Sequence, residues 1–364
     1  MKPRAPEIPI MPTPKDEALW RPLYPFESKY MMIKGFAYHY IDEQPDDSLN
    51  EDQTDCSDDT QNLFSPDEEI NENNVAENQE TNSSSFPKEN VDLKEKQSFG
   101  SKNDRPTLLF VHGNPTWSFY WRNILIAFRK KYRVIAVDHI GCGLSEKPSA
   151  KEYPYSLERR VSDLAYLVKK LNLNNVILVA HDWGVAVGMG AAIRHSKRFS
   201  KIVLMNGGAY LSHLCPLRIR ICRIPILNRI ILQSFNTFAL AALRSATAHP
   251  SLLTNDIRAG YLAPYDSYKN RVAVYQFVQD IPMTEKHRSY QTLKSIEDNL
   301  TLFRDKPVSL IWGMQDFCFT SEFLKRFLHF YPEADVHRIE KAGHYVVEDA
   351  TDEVISILDH FINR

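Results

Sequence analysis

From residue 105 onward, short runs of β-branched and other apolar residues alternate with segments whose apolar positions recur every third or fourth residue. The continuous apolar runs predict buried strands at 108–112, 134–138, 176–180, 202–205, 308–312 and 336–339. The helical period predicts helices over 117–130, 157–171, 185–195, 321–330 and 352–362. Such alternation is the mark of an α/β fold, a mostly parallel sheet flanked by helices. The order breaks after Met205. Residues 207–297 carry amphipathic helical stretches without a clean strand, which predicts a helical cap inserted between a core at 1–206 and its completion at 298–364. Upstream, YMMIKGFAYHYID (30–42) predicts a hairpin turning at Lys34-Gly35.

Charge changes this picture in one place. Residues 42–104 hold 19 Asp and Glu against four lysines, a balance of −15, while the rest of the chain carries 40 basic and 27 acidic residues, a balance of +13. The acidic stretch has few large apolar residues and cannot bury enough surface to offset its ordering entropy, so 44–104 is predicted to be a disordered insertion. A long loop between two strands costs little extra closure entropy. It reads as an inert surface insertion, or as an electrostatic tether to the basic body or a partner. Composition is otherwise ordinary for a globular chain, with 43% hydrophobic, 25% charged and 11% aromatic residues, which excludes a collagen-like or multi-span membrane protein. The five cysteines (Cys56, Cys142, Cys215, Cys222, Cys318) are scattered and form no C-x-x-C pair, which fits a reducing compartment. The first twenty residues lack the apolar core of a signal peptide, so a cytoplasmic location is expected. The stretch IRICRIPILNRIIL (219–232) reads as a cap helix with snorkelling arginines, membrane or partner docking being the other reading.

The chemistry concentrates in VILVAHDWGVAVGMGAA (176–192), an apolar strand, then Ala-His-Asp-Trp-Gly, then a helix rich in small residues. This has the form of a nucleophile elbow, with small Ala180 and Gly184 where strand and helix crowd together. The nucleophile slot holds Asp182. A carboxylate attacking an sp³ carbon displaces a leaving group and forms an alkyl ester, and attack on an acyl carbon forms an anhydride. An ester must be cleared by water, which needs a base, and His344 follows a predicted strand in VHRIEKAGHYVVEDA. Asp316, after the strand VSLIWG, is placed to orient that base. The order Asp182, Asp316, His344 matches the α/β-hydrolase order of nucleophile, acid and base. Asn206 occupies the alternative acid slot and cannot serve as a charged partner. In the loop His112-Gly113-Asn114-Pro115, Gly113 is expected to allow unusual dihedrals. The backbone N–H groups of Asn114 and Trp183 are expected to form an oxyanion hole, and their side chains to hold a leaving anion. The glycines of VDHIGCGLSEKP (137–148) do not complete a dinucleotide fingerprint. No cofactor, metal or nucleic-acid partner is expected.

HGNPTWSFYWR, DHIGCGLSEKP, HDWG, WGMQD and GHYVVEDA together resemble the haloalkane dehalogenase branch of the α/β-hydrolase superfamily, over about 23–43 and 105–364. The resemblance implies Asp182 as nucleophile, His344 as base, Asp316 as acid, and Asn114 with Trp183 as leaving-group donors. The tracts RAGYLAPYDSYKNRVAVYQFVQDIP (258–282) and LYPFESKYMMIKG (23–35) are more similar to the β-lactone decarboxylases of olefin biosynthesis, which convert a cis-dialkyl-oxetan-2-one to a cis-alkene and CO₂. Val185 departs from relatives, which often have a second glycine there. The implied activity is decarboxylation of a small apolar substrate, with attack at the lactone carbonyl and assembly with the upstream enzymes. Phe235, Phe238, Leu240, Leu243, Tyr261 and Phe277 are candidates to line an apolar channel. Haloalkane dehalogenation is the alternative. An epoxide hydrolase, with a pair drawn from Tyr261, Tyr265, Tyr268 and Tyr275 as proton donors, and an inactive scaffold are further readings.

Overall fold

The computed structural model describes residues 15–45, 105–214, 216–221, 223 and 229–364. Eight strands form one sheet: β1 (Lys29–Ile33), β2 (Phe36–Glu43), β3 (Thr107–Val111), β4 (Arg133–Val137), β5 (Val176–Asp182), β6 (Phe199–Gly207), β7 (Val308–Gly313) and β8 (Asp335–Ile339). Their spatial order is β1-β2-β4-β3-β5-β6-β7-β8. β1 and β2 run antiparallel to their neighbours, and every other pairing is parallel. The hairpin turns at Lys34 and Gly35, whose φ of 48° and 88° are the left-handed pair that a two-residue hairpin requires.

Side-chain alternation builds a core on each face of the sheet. Leu109 and Val111 of β3 face the helices Leu157–Lys170 and Trp183–Arg194, meeting Val161, Leu164 and Val185. Leu108 and Phe110 face the other way, toward Trp121, Ile124 and the Val354–Leu358 stripe of the Thr351–Asn363 helix. Because both faces are covered, β3, β5 and β7 are buried along their whole length, whereas β1 and β8 at the edges are only half-buried.

The segment predicted as a helix over 117–130 instead opens with a tight 3₁₀ turn, Ser118–Trp121, before the α-helix Arg122–Phe128. Asp138 accepts the Ser118 N–H at 2.7 Å and fixes that turn. β5 continues two residues past the predicted 176–180, because polar His181 and Asp182 remain in the strand and are buried there. Between β6 and β7 the described residues contain helices and no strand. Most of the predicted disordered insertion, together with Cys56, Cys215 and Cys222, lies outside the described residues.

Candidate active site

Asp182 is the last residue of β5, and the Trp183–Arg194 helix begins directly after it. Its backbone sits at φ 54°, ψ −130°, a region that non-glycine residues enter at a cost of about 1–3 kcal/mol and keep only where packing enforces it. The packing is visible: a Cβ on Gly184 would press into the Val111 and His112 carbonyls of β3. The strained turn lifts the Asp182 side chain out of the sheet, where its Oδ2 accepts the Asn114 N–H at 2.6 Å. Gly113 is not among the glycines with a left-handed φ. Its role is space, since a Cβ there would fall inside the Asp182 carboxyl. Val185 finds room against Gly207 of β6, so the departure at that position is accommodated within the elbow.

Burial pushes the Asp182 pKa up to about 6, against the opposing pull of His344 and of the Asn114 and Trp183 N–H groups. His344 lies on the loop after β8, and its Nδ1–H donates to Asp316 Oδ2 at 2.8 Å. Burial alone would lower the His344 pKa, but the Asp316 charge and hydrogen bond, with Asp182 adding, turn the net shift upward. Asn206, the uncharged occupant of the alternative acid slot, still contributes. It proves to be a support: its Nδ2 donates to Asp316 Oδ2 at 3.0 Å while its Oδ1 accepts the Gly313 N–H at 2.8 Å. The Cys318 N–H fills Oδ1 of Asp316 at 2.6 Å. Beneath this row, His181 donates Nε2–H to the His344 carbonyl at 2.8 Å and stacks on Tyr120. Burial, with the nearby His344 charge, lowers the His181 pKa well below the ordinary histidine value.

Asp182, Trp183, Asn114 and His344 open into a cavity of about 200 Å³. The Asn114 amide donates one hydrogen to the Val274 carbonyl at 3.2 Å, which leaves its second for a ligand. The walls are otherwise apolar or small, with Phe238, Ala241 and Ala242 on one side and Ile281, Pro282 and Met283 on another. Of the six channel candidates only Phe238 lines it. Phe235 and Leu240 are exposed, Leu243 is in the core, Tyr261 is bonded to Glu348, and Phe277 carries the Arg160 guanidinium at 3.6 Å. The four tyrosines considered as epoxide donors are also absent from the lining, and Tyr265 gives its hydroxyl to the Thr116 carbonyl.

Residues 106–351 match the model of the alpha/beta hydrolase fold family. The chain belongs to the α/β-hydrolase family. It is 41% identical to the cis-3-alkyl-4-alkyloxetan-2-one decarboxylase of Shewanella oneidensis, over 71% of this chain and 82% of that protein. The corresponding decarboxylase of Xanthomonas campestris is 33% identical, over 72% and 89%. Haloalkane dehalogenase 2 of Mycobacterium tuberculosis is more distant, at 27% over 70% and 88%. The solved haloalkane dehalogenase DbeA from Bradyrhizobium elkani shares the fold with a TM-score of 0.70 at 20% identity, covering 93% of this chain and 98% of that one.

Two buried clusters around this α/β-hydrolase site escaped the sequence reading. In the first, Asp138 lies 2.8 Å from His39 Nδ1 and accepts the Ser118 and Leu144 N–H groups. Burial would raise the Asp138 carboxyl, but the His39 charge and hydrogen bond, with His112 and the Leu144 N–H adding, hold the pKa down at about 2. Gly141 and Gly143, with φ of 89° and 49°, turn the loop, Gly143 packing directly against that carboxylate and Gly141 against Tyr155 and Ala273. The glycines that superficially recommended a nucleotide site therefore build a turn. Cys142 in the same loop is buried, and burial pushes its thiol up to about 12, out of reach of thiolate chemistry. In the second cluster Arg122 grips Glu348 through two bonds of 2.5 and 2.9 Å, and the Tyr261 hydroxyl joins Glu348 from the helices between β6 and β7.

Proposed function

We propose that this protein uses Asp182 as a nucleophile to decarboxylate a cis-3-alkyl-4-alkyloxetan-2-one, giving a cis-alkene and CO₂. The observation that carries the reading is a carboxylate, in place of a serine, on a strained elbow under an apolar cavity. The 41% identity to a protein named for this activity supports it. Attack at the lactone carbonyl, the route implied by resemblance, would form an anhydride and release an alkoxide, which is a poor leaving group. Attack at ring carbon C4 avoids the alkoxide. The C4–O bond breaks with inversion, an aspartyl ester forms, and the freed carboxylate stands anti to it. Loss of CO₂ then expels the Asp182 carboxylate, and this anti elimination yields the cis-alkene. Asn114 and Trp183 line the cavity beside Asp182, and in this reading their side-chain N–H groups hold the developing carboxylate.

Haloalkane hydrolysis is the second reading, favoured by the His344–Asp316 pair, which is what hydrolysis of an aspartyl ester requires. An assay of a long-chain cis-β-lactone beside a 1-haloalkane separates the two. Alkene and CO₂ from the first without halide from the second is the expected result. Halide release with an untouched lactone would overturn it.

A further inference from the structure

One short segment beside the cavity has a wet side and a cavity side. Leu214, Pro216 and Ile219 line the cavity above Asp182. Leu214 stands at the rim, lining the cavity while 54% exposed, and its neighbours Leu217 and Ile221 face solvent at 71% and 52% exposed. Scattered exposed leucines are ordinary, but three large apolar side chains within one turn-and-helix stretch make a patch that asks for a partner. The Thr237–Ser245 helix supplies another wall through Phe238, Ala241 and Ala242, and on it Leu240 is exposed.

Charge narrows the choice of partner. Residues 216–223 contain no acidic residue, and Arg220 is exposed between Leu217 and Ile221, while the Arg223 guanidinium is taken up by the Val278 and Ile281 carbonyls. Exposed apolar side chains flanking an arginine, with no carboxylate nearby in sequence, match an anionic phospholipid interface, where the apolar side chains enter the acyl boundary and the guanidinium meets a phosphate. Among the described residues no helix is long and apolar enough to cross a membrane, so such contact would be peripheral.

We propose that Leu214 and the Leu217–Ile221 helix dock on an anionic phospholipid surface and open the cavity toward the bilayer. The apolar substrate then enters from lipid and the apolar product returns to it, without crossing water. This inference rests on the proposed function for the nature of the substrate, and its test keeps the two apart. Neither Leu217 nor Arg220 lines the cavity, so the double variant Leu217→Asp, Arg220→Glu leaves the chemistry in place. The full-length protein is sedimented with vesicles of phosphatidylglycerol and phosphatidylcholine. The wild type is expected to pellet with anionic vesicles, and the double variant to bind about 100-fold more weakly or worse, from one reversed charge, one added carboxylate and one lost leucine. Turnover of a short, water-soluble cis-β-lactone should be equal in the two proteins, while turnover of a long-chain lactone supplied in vesicles should fall with binding. Docking is overturned if the wild type stays in the supernatant, if it binds pure phosphatidylcholine equally well, if the double variant binds unchanged, or if a protein partner is retained while vesicles are not. Vesicle binding with neither lactone consumed would instead sink the proposed function and leave the docking surface standing.

Discussion

Asp182 carries opposing demands. Its buried carboxyl has a pKa pushed up to about 6, yet the proposed attack needs the ionised form. Turnover should therefore fall about tenfold per pH unit below about 6, read from a kcat/KM profile. The His344 charge pulls the Asp182 pKa down, so His344→Ala should move this acid limb to higher pH. Multiple turnovers of the lactone should persist in that variant, since CO₂ loss clears the ester without water. A halt after one turnover, with an adduct on Asp182, would point to the hydrolytic route. A carboxyl whose pKa rises on folding costs stability above that pKa, and the cost fades as pH falls from about 6 toward 4. Asp182→Asn should consequently be more stable than the wild type at pH 7, by about 2 kcal/mol in denaturant titration, with the gain shrinking at pH 5. No gain at pH 7 would contradict that cost.

At the scale of the element, the strand-turn-helix around Asp182 shows what was legible in the sequence. Apolar runs and spacing gave away β3, β5 and β7 to within a residue or two, because fully buried strands need unbroken apolar stretches. The elbow could be read because Gly184 answers a local crowding, and the same crowding makes a prediction. Gly to Ala within a helix ordinarily stabilises by about 1 kcal/mol. At Gly184 the added methyl meets backbone oxygens of β3, so Gly184→Ala should destabilise, by about 2 kcal/mol, and depress activity. A rise in Tm would contradict the packing account. Asn206 stayed hidden because its contribution is a contact across strands, from the end of β6 to Asp316 after β7, and no local pattern marks it. The channel candidates failed for a related reason. On a short cap helix the apolar face does not say whether it meets the core or the cavity. Phe238 turns inward to the substrate space while Phe277 is committed to Arg160.

Across the whole molecule, buried ion networks join the segment between β6 and β7 to the helices that flank the sheet. Tyr261 shares Glu348 with Arg122, and Asp280 lies between Arg160 at 3.3 Å and Arg288 at 2.9 Å. Removing one member strands a buried charge, so Glu348→Ala should cost about 3–5 kcal/mol, seen as a large drop in Tm, whereas Tyr261→Phe should cost only about 1 kcal/mol. Equal effects of the two would show that the arginine is solvated after all. These struts hold the cavity walls over Asp182, and the account stands or falls on that carboxylate forming a bond to substrate. The direct measurement is lactone turnover by folded Asp182→Asn: a loss of about 10⁴-fold or more in kcat is predicted, and a rate within tenfold of the wild type would contradict it.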